Sequence, residues 1–113
     1  MTKTSWLGHE ADGKTALMVA AINGNINNVM LLSLKGADLN AKDNEGKTAL
    51  IWAICKGHRN IAEFLIERGA DLNIRDQNGW SALLWAVHEC QRDTAKLLIE
   101  KGADLNIKDY NGN

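Results

Sequence analysis

The chain has 113 residues, of which 45% are hydrophobic and 24% charged, the length and composition of one soluble globular domain. A net charge of -1 argues against a general nucleic-acid binder, and no apolar run approaches the roughly 20 residues that span a bilayer. The opening MTKTSWLGHE is too short and too polar for a secretion signal. With only Cys55 and Cys90, and no N-x-[ST] sequon, the chain reads as intracellular and cytoplasmic with free thiols.

The first motif along the chain is GHEADGKT, Gly8 to Thr15, which fits the phosphate-binding pattern G-x-x-x-x-G-K-[ST]. Self-similarity gives it another meaning. KGADLNAKDNEGKTALIWA begins at Lys35, RGADLNIRDQNGWSALLWA at Arg68 and KGADLNIKDYNG at Lys101, a step of 33 residues each time. Three full units run 10–42, 43–75 and 76–108; residues 1–9 precede them, and 109–113 begin a fourth unit that stops short. On this period Gly13-Lys14-Thr15 aligns with Gly46-Lys47-Thr48, where Ala41 stands in the place of Gly8, and with Gly79-Trp80-Ser81, which has no lysine. The glycine belongs to a turn and the hydroxyl to a helix cap. Seven residues before Gly8 cannot supply the strand and sheet that a phosphate loop needs. The phosphate-loop match is a coincidence, and no nucleotide or other cofactor is expected.

Within a unit the pattern predicts two short helices. In the middle one Thr48 is placed to cap a helix carrying Leu50, Ala53 and Ile54 at helical spacing, and Gly57 to end it in the left-handed conformation. A second helix follows near Asn60 with Ile61, Phe64 and Leu65 on one stripe, and Gly69 ends it. The polar stretch 71–79 reads as a long hairpin-like turn. Trp52 and Trp85 share a column with Val19 and are expected to pack in the core or between units. Trp80 stands beside the turn glycine, in the column of Lys14 and Lys47. It is expected to be solvent-exposed, either as an interface anchor or packed locally on the adjacent turn.

A 33-residue period with T-x-L-x-x-A, a glycine between helices and G-A-D-x-N before the turn resembles the ankyrin repeat family, over 99 of the 113 residues. The resemblance implies an all-α ankyrin-repeat solenoid of helix–turn–helix pairs joined by long hairpin-like turns. The chain departs from the family's T-P-L-H, reading Thr15-Ala-Leu-Met18, Thr48-Ala-Leu-Ile51 and Ser81-Ala-Leu-Leu84, so apolar packing must replace the histidine's links. Cys90 occupies the column of Gly24 and Gly57, and a distorted or weakened turn is expected there. Asn28 and Thr94 stand where Ile61 marks an apolar position.

No catalytic constellation is present, and a non-enzymatic binding module is the leading reading. Cys55-x-x-His58 and His88-x-Cys90 fall in neighbouring units, but packed helices lie about 10 Å apart, too far for a compact tetrahedral site, so no metal is expected. The resemblance implies a protein partner held by the turn tips and the concave face of the first helices. In unit one those positions are Ala11, Asp12, Lys14, Ile22, Asn23 and Lys42; in unit two, Asn44, Glu45, Lys47, Cys55, Lys56 and Arg75; in unit three, Gln77, Asn78, Trp80, His88, Glu89 and Lys108. Lys14, Lys42, Lys47, Lys56, Arg75 and Lys108 against Asp12, Glu45 and Glu89 give that set a charge of +3, which suits an acidic or polar partner surface. The opposite face, with Glu63, Glu67, Lys96 and Glu100, reads as merely solvated.

The alternative is a structural module that self-associates through uncapped end repeats, with Leu97 and Ile99 on an exposed end face. In some eukaryotic ankyrin repeats the asparagine of D-x-N is hydroxylated, and Asn40, Asn73 and Asn106 match it; turn stabilisation is the expected role here.

Overall fold

Each first helix begins at the hydroxyl the sequence supplies. Thr15 Oγ1 accepts from the Met18 amide at 3.2 Å, Thr48 Oγ1 from Ile51 at 3.2 Å and Ser81 Oγ from Leu84 at 3.4 Å, satisfying an amide that a helix start leaves without a partner. The structure, a computed structural model, describes residues 12–106. They form six helices: α1 Ala16–Ile22, α2 Ile26–Leu34, α3 Ala49–Cys55, α4 Arg59–Glu67, α5 Ala82–His88 and α6 Arg92–Glu100. No strand occurs among the described residues. Together with the repeats, this is an all-α solenoid.

Helices of seven and nine residues are too short to persist alone in water, so packing must hold them. The first helices contact one another in the order α1, α3, α5, and the second helices in the order α2, α4, α6. The core runs between the two rows. Ile51, Ile54, Ile61 and Leu65 of the middle pair are each at most 1% exposed, and each contributes about 1.5–3 kcal/mol through burial. Met18 and Ile51, at the family's histidine position, are buried in that core, whereas Leu84 is half-buried.

Polar ties link successive pairs. His58 Nε2 lies 3.0 Å from the Ile22 carbonyl oxygen, and the equivalent Gln91 donates through Nε2 to the Ile54 carbonyl at 2.7 Å. The turns are joined by backbone bonds from Asn44 N to Asp12 O and from Gln77 N to Glu45 O. Asn40 Oδ1 accepts from Asp71 N at 2.8 Å, and Asn73 Oδ1 from Asp104 N at 2.9 Å. The D-x-N asparagine side chain thus braces the next turn, while in its own turn the aspartate two residues before accepts from its backbone amide.

Three expectations need adjustment. Cys90 does adopt the left-handed conformation, with φ of 58°, but its turn is not distorted. Cys90 N still reaches Val87 O and Gln91 N reaches Ala86 O, matching the bonds of Gly57 and His58 to Ile54 and Ala53. Thr94 is fully buried at the position of Ile61, and its hydroxyl has no hydrogen-bond partner among the described residues, while Asn28 is exposed. Leu97 is half-buried against the core rather than exposed, and only Ile99 of that pair, at 48% exposure, faces solvent.

Candidate functional site

Two aspartates at the base of the turns organise the surface that the resemblance assigns to a partner. Asp43 and Asp76 are buried. Asp43 Oδ1 accepts from the amides of Glu45 and Lys47, and Asp76 Oδ1 from those of Asn78 and Trp80, all at 2.9–3.0 Å. The second oxygen of each accepts an indole N–H, Trp52 Nε1 at 2.8 Å and Trp85 Nε1 at 2.9 Å. One carboxylate therefore closes the turn and clamps a tryptophan of the following helix beside it. Full pairing offsets the cost of burying the charge.

The clamped Trp52 ring collects cations. Lys14 Nζ lies 4.9 Å from its centroid, Lys47 Nζ 5.2 Å and Lys56 Nζ 5.7 Å, and Lys47 is also 5.6 Å from the Trp85 ring. These distances fall within cation–π range. Lys14 also hydrogen-bonds Asp12 at 2.8 Å and lies 3.7 Å from Asp43 Oδ2; Lys47 bonds Glu45 at 2.9 Å. The side-chain hydrogen bond with Lys14 holds the Asp12 carboxyl below its ordinary range and, reciprocally, raises the Lys14 ammonium. Lys42 and Lys56 are exposed and make no ion pair among the described residues. Arg75 Nε donates to the Gly79 carbonyl at 2.9 Å and serves its own turn. The positive charge open to a partner is thus concentrated on Lys42 and Lys56.

Trp80 corrects an expectation. It is half-buried, not exposed, with its ring 4.7 Å from Trp85 and 5.1 Å from His88, and Trp85 and His88 are 5.9 Å apart. The local-packing alternative is therefore what forms. The tilted and edge-on geometries are those aromatic rings favour.

The remaining positions divide. Asn44, Glu45, Gln77 and Asn78 are exposed at the turn tips, and Asn23, His88 and Glu89 at the ends of α1 and α5. Cys55 is half-buried, and burial pushes its thiol up to about 12. Lys108 and Ala11 lie outside the described residues, as does Gly8 of the phosphate-loop match. Among the described residues no three His, Cys, Asp or Glu side chains are grouped to hold a metal ion, and His58 turns to the Ile22 carbonyl. The residues that organise this candidate site and that the sequence reading passed over are Asp43 and Asp76. Their signal was present: each precedes its turn glycine by three residues and its tryptophan by nine.

On the opposite side α2, α4 and α6 form an open groove of about 700 Å³. Ile26, Met30, Phe64 and Leu97 floor it, so this face is more than a solvated surface. On its acidic edge Glu63 and Asp93 pair with Arg59 and Glu67 with Lys101. No helix among the described residues is long and apolar enough to cross a membrane.

The family model for ankyrin repeats in three copies matches residues 3–76, and that for a single ankyrin repeat matches 78–110. A search of the curated proteins returns no match. The sequence matches, the helix pairs recurring every 33 residues and the turns tied one to the next agree: the chain belongs to the ankyrin repeat family.

Proposed function

We propose that this chain is a non-enzymatic module that binds a protein partner through the face of α1, α3 and α5 and the adjoining turn tips. Ankyrin repeats are in general protein–protein interaction modules rather than enzymes. The observation that carries the reading here is the Trp52 ring, anchored by buried Asp43 and surrounded by Lys14, Lys47 and Lys56. Such a surface combines apolar area with positive charge on a braced frame, and it favours an acidic or polar partner surface.

Capture from source-cell lysate tests this, with the wild type beside a Lys42→Glu, Lys56→Glu variant whose helicity and melting are unchanged. A protein held by the wild type and lost by the variant supports the reading, and its on-rate should fall as salt rises. A partner held equally by both moves the interface elsewhere. Leu31 at 53% exposure and Leu34 at 72% favour a second reading, self-association, which concentration-dependent mass would reveal.

A further inference from the structure

The partner-facing surface changes character along the stack. Around Trp52 three lysines lie within 6 Å of the ring, Lys14 and Lys47 paired with Asp12 and Glu45, and exposed Lys56 carrying the positive charge open to a partner. One helix pair further on, the same two columns lose their positive charge: Trp80 replaces the lysine of Lys14 and Lys47, and Glu89 replaces Lys56. What forms there is the cluster of Trp80, Trp85 and His88, with exposed Glu89 at its edge.

A segment crossing both regions meets opposite demands. A uniformly acidic segment would place like charge against Glu89, and a uniformly apolar one would strip water from Lys56 without a counter-charge. An acidic stretch is satisfied over Trp52, because exposed Lys56 lies 5.7 Å from the ring with no ion pair among the described residues, and exposed Lys42 adds a second open positive charge on the same face. An aromatic or aliphatic side chain is satisfied on the indole cluster. Neighbouring packed helices lie about 10 Å apart and an extended chain advances about 3.3 Å per residue, so the two demands fall about three residues apart on the partner.

Building on the partner-binding reading above, we infer that this surface takes an extended, bipartite peptide segment. Its acidic side chains lie over Trp52, and an aromatic or aliphatic anchor about three residues away lies on Trp80, Trp85 and His88.

Selection of a displayed library of random linear peptides on the full chain tests this. The expected result is enrichment of peptides with acidic residues at a fixed spacing of about three from a Trp, Phe or Leu, whose affinity falls about tenfold or more with Lys56→Glu. Trp80→Lys restores the residue of the other two columns and should convert the anchor preference into a second acidic preference. Peptides that weaken with Lys56→Glu but show no fixed acid–anchor spacing would refute the bipartite segment and leave the binding face intact. Peptides indifferent to both substitutions would refute the face as well. Failure to enrich any peptide would refute a peptide segment as the occupant, leaving a folded partner surface on that face.

Discussion

Asp43 Oδ2 accepts the indole N–H of Trp52 at 2.8 Å, and Asp76 and Trp85 repeat the bond at 2.9 Å in the next unit. In each case a buried charge is fully engaged by two turn amides and one indole, so turn and helix are fixed together. The rings on the proposed partner face therefore owe their orientation to residues beneath the surface.

Asp76→Asn keeps the shape but turns an amide N–H₂ towards the indole N–H, leaving one buried donor unpaired. It should lower stability by about 2 kcal/mol, read from the urea midpoint. Asp38 is exposed and its carboxylate accepts from its own turn at Asn40 N, so Asp38→Asn should stay within about 0.5 kcal/mol. Equal effects would show that the buried clamp contributes nothing special.

Cys90 holds a left-handed backbone that glycine occupies more readily. Cys90→Gly should raise stability by about 0.5–1 kcal/mol, the relief of strain being partly offset by glycine's freedom when unfolded. The reverse exchange isolates the backbone cost. Gly57 has φ of 77° and nothing within 4 Å of an added Cβ, so Gly57→Ala should lose about 1 kcal/mol without any clash. A neutral Gly57→Ala would contradict that cost.

How far the sequence carried the reading is visible at particular residues. Thr15, Thr48 and Ser81 act as the caps their hydroxyls suggest, because capping is local and depends on spacing alone. The glycine columns were legible for the same reason. The burial of Asp43 and Asp76 was not, since turn residues are normally exposed and only the three-dimensional approach of an indole gives each carboxylate its third partner. Trp80 was placed at the right turn with the wrong exposure, because its neighbours Trp85 and His88 come from the following helix. The lysine count was right as arithmetic, yet Lys14 and Lys47 share their charge with Asp12 and Glu45 two residues away.

Thr94 buries a hydroxyl with no hydrogen-bond partner among the described residues, at the position Ile61 fills with hydrocarbon. Thr94→Val removes that polar atom at nearly constant shape and should stabilise the chain by about 1 kcal/mol in denaturant unfolding. A loss of stability would mean the hydroxyl is satisfied by water.

The two cysteines should differ in reactivity. Burial raises the Cys55 thiol from 9.0 to about 12, so it stays protonated and unreactive in the folded chain, whereas Cys90 is exposed. Brief alkylation near neutral pH, read by peptide mass, should label Cys90 and spare Cys55 until the chain unfolds. Because the folded-state value is the higher one, the Cys55 contribution to stability is complete below about 9 and declines as pH rises from there towards about 12. Cys55→Ser should flatten that decline.

The most direct test of the binding face is a nuclear magnetic resonance titration of the nitrogen-labelled chain with the partner that the wild type captures. The indole N–H signals of Trp52 and Trp85 and the amides of Lys56, Glu89 and the turns 44–47 and 77–80 are predicted to move together. Shifts confined to Met30, Phe64, Leu97 and their neighbours on α2, α4 and α6 would contradict it and place the partner in the outer groove.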